Sequence, residues 1–257
     1  MKLFDHKSGR TVKIGEADIY IEEIGEPTNE ALFLLHGGFG NMEDFNEILP
    51  LLEKPYHIIG MNNCGHGRSS LGGKKLTYQR LQEDVEAICK ELKLKEISIL
   101  GLSDGGIVAY RLACLSKLKI KKLVTMGARW NFSNAEETKE ILATTTPKKW
   151  KAKFPDTFKT YKALNPEPNF DKLTLALVNM WLDFNESGYP NEKVKAIKCP
   201  TLVIRGDEDH LVSRKFVFHL VEQIKGAQLL NVPFAGHAVL GDQKSIVMEA
   251  VNQFLRQ

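Results

Sequence analysis

The spacing of apolar positions changes in a regular way along the chain. Short apolar, β-branched runs fall at 11–14, 19–24, 31–35 and 57–61, and again at 96–100, 121–126, 201–206 and 228–232. Each has the length and character of a buried strand. Between the later runs the spacing lengthens to a helical period. Leu81, Val85, Ile88 and Leu92 share one stripe of a helix predicted over 77–92. The apolar stretch 106–115 and the segment carrying Val247, Ala250, Val251 and Phe254 read the same way. Strands alternating with helices predict an α/β class: a mostly parallel eight-stranded sheet with helices on both faces. The opening strands leave no room for a helix between them and are expected to pair antiparallel.

The alternation stops over 129–190. This stretch has no strand-like run and holds all three tryptophans. Pro147, Pro155, Pro166 and Pro168 divide it into short helices. The expected organisation is a core over 1–128, a helical cap over 129–190, and the rest of the core over 191–257. As a set, Trp150, Phe154, Phe158, Tyr161 and Trp181, with Phe39 from the core, are the candidate apolar substrate pocket.

Composition narrows the picture by exclusion. At 257 residues with 43% hydrophobic content, the chain can build one ordinary core. A net charge of +3 gives no case for a nucleic-acid partner. Cys64, Cys89, Cys114 and Cys199 are scattered without a C-x-x-C spacing, so neither a metal site nor a redox pair is expected. No apolar window reaches membrane-span length, and free thiols fit a cytoplasmic protein. No cofactor is implied. Oligomeric state is silent in the sequence.

The candidate chemistry lies at the ends of the predicted strands. Gly101-Leu102-Ser103-Asp104-Gly105 follows one strand and opens a helix, which reads as a strained elbow presenting Ser103 as a nucleophile. A serine hydroxyl needs a base, and the base needs a carboxylate to fix its tautomer. In this architecture the chain order is serine, acid, histidine. Asp207 and Asp209 follow the strand 201–206, with Asp209 the preferred acid and Asp207 the alternative. His237 follows the strand 228–232 and is the candidate base. His210 is a weaker one. His36 and His66 lie in glycine-rich loops and are read as shaping backbone. The loop His36-Gly37-Gly38-Phe39-Gly40 follows another strand, where backbone amides can approach a developing oxyanion. The candidate donors are the amides of Gly38 and Asp104, with Phe39 as the alternative to Gly38.

With these residues the chain resembles the α/β-hydrolase superfamily from about residue 19 to 255. It looks most like the biphenyl-hydrolase-like group, which includes valacyclovir hydrolase. Gly101-Leu102-Ser103-Asp104-Gly105-Gly106, Gly127-Ala128, and Pro200-Thr201-Leu202-Val203-Ile204 carry the likeness. One loop departs from it. Asn62 and Cys64 stand where the related Asp-x-Arg-Gly-His-Gly-x-Ser pattern has its aspartate and arginine. The ion pair that braces the loop in relatives is therefore missing.

The expected function is cofactor-independent hydrolysis of small carboxylic esters through an acyl-enzyme. Amino-acid esters and amides are a narrower option. The carboxylate of Asp104 beside the nucleophile, and the resemblance, lean toward a substrate ammonium. Pairing of Asp104 with a basic residue or a backbone donor is the other reading. Two alternatives keep the same residues: hydrolysis of carbon–carbon bonds in diketone-like substrates, and ligand binding without turnover on the same fold.

Overall fold

A computed structural model describes residues 2–52, 54–132 and 136–257. The chain opens with β1 (Arg10–Ile14), β2 (Ala17–Ile24), β3 (Glu30–Leu35) and β4 (Tyr56–Met61). Helix α1 (Tyr78–Glu91), β5 (Glu96–Leu102), α2 (Asp104–Leu115) and β6 (Lys119–Met126) follow. Four helices then come without a strand among them: α3 (Glu136–Ala143), α4 (Pro147–Lys153), α5 (Pro155–Leu164) and α6 (Phe170–Trp181). The alternation resumes with β7 (Thr201–Gly206), α7 (Arg214–Gln223), β8 (Gln228–Val232), the short α8 (Val239–Asp242) and α9 (Lys244–Arg256).

The strands form one sheet in the order β1-β2-β4-β3-β5-β6-β7-β8. Antiparallel pairing is confined to β2, which runs against both β1 and β4. The remaining neighbours are parallel. Side-chain alternation divides the core between the two faces. Along β3, Phe33 and Leu35 join one apolar cluster, with Leu81 and Val85 of α1 and Leu220 of α7. Leu32 and Leu34 join the other, with Val247, Val251 and Phe254 of α9.

Local signals start the helices where the sequence places them. Thr77 caps α1 by accepting from the Arg80 amide. Pro147 and Pro155 each occupy a first helical turn, where a missing N–H costs nothing. Pro166 and Pro168 fall in the link between α5 and α6. Residues 133–135 of the segment between β6 and β7 lie outside the described residues.

Strand order reverses around β3 and β5: the chain leaves β4 on one side of β3 and resumes as β5 on the other. Parallel sheets bind ligands at such a switch point, outside the carboxyl ends of the strands. Gly38 follows β3 and Ser103 follows β5, so both lie there.

Candidate active site

Ser103 sits between β5 and α2 with φ 48° and ψ −114°, a left-handed conformation that L residues avoid. Its amide donates to the Met126 carbonyl at 2.8 Å, tying the turn to β6. Tight approach explains the flanking glycines. A Cβ on Gly101 would lie 2.5 Å from the Gly105 carbonyl oxygen, and one on Gly105 would lie 2.0 Å from that of Leu35. Backbone cannot yield to either.

His237 and Asp209 reach this serine from the ends of β8 and β7. Ser103 Oγ and His237 Nε2 are 3.0 Å apart. His237 Nδ1 lies 3.1 and 3.0 Å from the two carboxylate oxygens of Asp209. Asp209 Oδ1 also accepts the amides of Leu211 at 2.8 Å and Val212 at 3.1 Å, which fix the carboxylate. Asp207 turns elsewhere. Its carboxylate takes the Arg214 guanidinium and the Asn231 amide, and the Arg214 contact holds it down at about 2. His210 is exposed, its ring 6.5 Å from that of His237.

The glycine loop after β3 is held by two buried, neutral imidazoles. His36 bonds the Gly37 carbonyl through Nδ1 at 2.7 Å and accepts the Asn63 amide at Nε2 at 2.9 Å. His66 bonds the Cys64 carbonyl at 3.0 Å and accepts the Phe39 amide at Nε2 at 3.1 Å. Burial pushes their pKa values down, to about 3 for His36, with help from the neighbouring imidazole, and to about 4 for His66. The Phe39 amide is thus taken, which rules against Phe39 as an anion donor. Gly38 and Asp104 line the cavity beside Ser103, with the Asp104 amide at the N-terminus of α2.

The loop 62–69 lacks the expected ion pair and is braced by neutral bonds. Asn62 Oδ1 accepts the Met42 amide at 3.1 Å, and Cys64 Sγ donates to the Leu71 carbonyl at 3.1 Å. From the end of α5, Asn165 donates to the carbonyls of Gly65, Gly67 and Ser69. Nothing in the local sequence around Asn165 signals that clamp.

Among the described residues Asp104 is bonded by neither a basic side chain nor a backbone donor. Tyr78 donates to Oδ1 at 2.7 Å, and Trp181 Nε1 donates to Oδ2 at 2.9 Å and Oδ1 at 3.1 Å. Burial raises the Asp104 pKa, and these two donors pull against it. A Cβ on Gly38 would come within 2.7 Å of Asp104 Oδ2 and 3.0 Å of Trp181 Cζ2, so only glycine leaves this wall undisturbed.

These residues border a cavity of about 930 Å³. Of the predicted aromatic set, Trp150, Phe154 and Trp181 line it. Phe39, Phe158 and Tyr161 do not, which corrects the expectation. Phe39 is buried behind the wall with its ring 4.0 Å from Trp150 and 5.3 Å from Phe170. Phe158 and Tyr161 pack edge-on against Phe170. Tyr78, Arg129 and Tyr189 line the cavity without having been signalled by any motif. Among the described residues no cluster of side chains suits a metal ion, and no helix is long and apolar enough to cross a membrane.

Comparison with known proteins agrees with this fold. The pattern of the α/β hydrolase fold family matches residues 30–185. The chain is 25% identical over 238 residues to mouse serine hydrolase BPHL, covering 88% of this chain and 79% of that protein. It is 23% identical to the uncharacterized hydrolase YugF of Bacillus subtilis, covering 96% and 97%. A meta-cleavage product hydrolase from Pseudomonas fluorescens IP01 shares the fold with a TM-score of 0.81 at 20% identity, covering 98% and 99%.

Proposed function

The chain belongs to the α/β-hydrolase fold family, and we propose that it is a serine hydrolase of small carboxylic esters. One observation carries this reading: a hydrogen-bonded chain from Ser103 to His237 to Asp209, opening on a cavity large enough for a small ester. His237 Nε2 takes the serine proton as Oγ attacks the carbonyl carbon. Asp209 holds Nδ1–H and stabilises the imidazolium that forms. The amides of Gly38 and Asp104 receive the oxyanion, a contribution of roughly 3 kcal/mol per donor. His237 then gives its proton to the departing alkoxide, leaving the acyl group on Ser103. Water, deprotonated by the same imidazole, attacks that ester and restores the serine. The segment 129–190 acts as the cap that closes the cavity over the strand ends.

Replacing Ser103 with Ala is expected to lower kcat about 10⁴–10⁶-fold on a neutral chromogenic ester while the melting temperature holds. Retention of wild-type turnover would contradict the reading.

A narrower reading rests on Asp104, whose carboxylate lines the cavity held by the neutral donors of Tyr78 and Trp181. An α-ammonium on the acyl group could pair with it. Alanyl esters would then exceed propionyl esters in kcat/KM. Equal values would remove the ammonium site.

A further inference from the structure

Arg129 lies three positions beyond the end of β6, between the strand that delivers Ser103 and the one that delivers Asp209. It is 8% exposed and lines the cavity. Its bonds are few and long for a guanidinium: Nη1 to the Leu211 carbonyl at 3.4 Å and Nη2 to the Asn131 carbonyl at 3.3 Å. Nε is buried without a hydrogen-bond partner. Among the side chains the structure describes, none of the ion pairs involves Arg129. The cation instead lies over two rings, 5.2 Å from the centroid of Phe216 and 6.0 Å from that of Tyr189. These rings hold the planar fork in place.

A buried guanidinium with an unbonded N–H is costly, and a ligand that takes up its free donors relieves that cost. Asp209 acts on Arg129 only through space, its oxygens being engaged by His237 and two amides. Arg129 has unused Nη hydrogens in the fixed geometry that matches a carboxylate. The other cations of the cavity sit at its rim. Lys149 and Lys153 are exposed, and Lys244 pairs with Glu47. Glu43, Asp44 and Asp242 at the same rim offset them. Selection for an anion inside the cavity therefore falls to Arg129.

We propose that Arg129 is the carboxylate-binding residue of this pocket, and that the preferred substrate is an ester carrying a second, ionised carboxylate. The inference rests on the hydrolase reading above and names its substrate class. A half-ester of a dicarboxylic acid would place the free carboxylate on the guanidinium while Ser103 attacks the ester carbonyl. The carboxylate could instead belong to the leaving group.

Two pairs of esters separate these cases. Phenyl hemisuccinate against phenyl butyrate places the charge on the acyl side. Acetoxybenzoate against phenyl acetate places it on the leaving side. In one pair, wild-type kcat/KM is expected to favour the charged ester by about thirtyfold, the size of a charge-assisted hydrogen-bonded pair. Arg129→Met should collapse that ratio toward one, and Arg129→Lys should restore part of it. Ratios near one in both pairs, or a ratio that Arg129→Met leaves intact, would overturn the proposal. A measurement on the wild type guards against a variant that fails to fold. Succinate should slow phosphonylation of Ser103 at concentrations where neutral succinamide does not, and equal effects would contradict the site. Failure to turn over any of the four esters would count against the hydrolase reading itself. Turnover of both neutral esters without any preference for charge counts against Arg129 alone.

Discussion

At the scale of single residues, the two aspartates after β7 separate by what they touch. Asp209 gives both oxygens to His237, while Asp207 is turned to Arg214 and Asn231. Asp209→Asn is expected to lower kcat about 10³–10⁴-fold by destabilising the required tautomer and the imidazolium. Asp207→Asn, measured beside it, should leave kcat within a few-fold. Comparable losses from both would refute the assignment. The sequence supplied serine, acid and base in order, because each follows a strand and strands are legible from apolar runs. It prefers Asp209 and keeps Asp207 as the alternative, because where each side chain points depends on contacts with Arg214 and Asn231 that form only in the fold. Arg129 was silent for a related reason: an arginine beyond a strand carries no signal until its neighbours in space are known.

At the scale of elements, the strand–turn–helix unit around Ser103 works only if β5, α2 and β3 approach to backbone contact. Gly105→Ala puts a methyl group 2.0 Å from the Leu35 carbonyl oxygen. Stability is expected to fall by about 1–3 kcal/mol or more. Chemical denaturation measures it, and an unchanged midpoint would show that the contact is not rigid. The strands and the helix starts were readable because period, caps and prolines are local. The pocket aromatics were not, since the rotation of α4, α5 and α6 is set by packing. Phe170 turns Phe158 and Tyr161 inward, away from the cavity, while Trp150 and Trp181 face it. The brace on the loop 62–69 was equally hidden, because Asn165 reaches it from 96 to 100 residues away.

At the scale of the whole molecule, burial of His36 and His66 links stability to pH. Both are neutral when folded, with pKa values near 3 and 4, against 6.5 for an unperturbed imidazole. Between those values and 6.5 the unfolded chain binds more protons. Their contribution to stability is therefore complete above pH 6.5 and is lost as pH falls, down to about 4 for His66 and about 3 for His36. The slope from the two groups approaches about 2.7 kcal/mol per pH unit. Urea denaturation at pH 7.5, 6 and 5 should follow that direction, with a shallower slope in His66→Gln. The same global fold gathers Ser103, Asp209 and His237 from three strand ends, and that gathering is the centre of the account. It is tested most directly by treating the intact protein with a fluorophosphonate and mapping the adduct by mass spectrometry. The account predicts one adduct, on Ser103, formed far more slowly in His237→Ala. An unmodified protein, or an adduct on another serine, would contradict it.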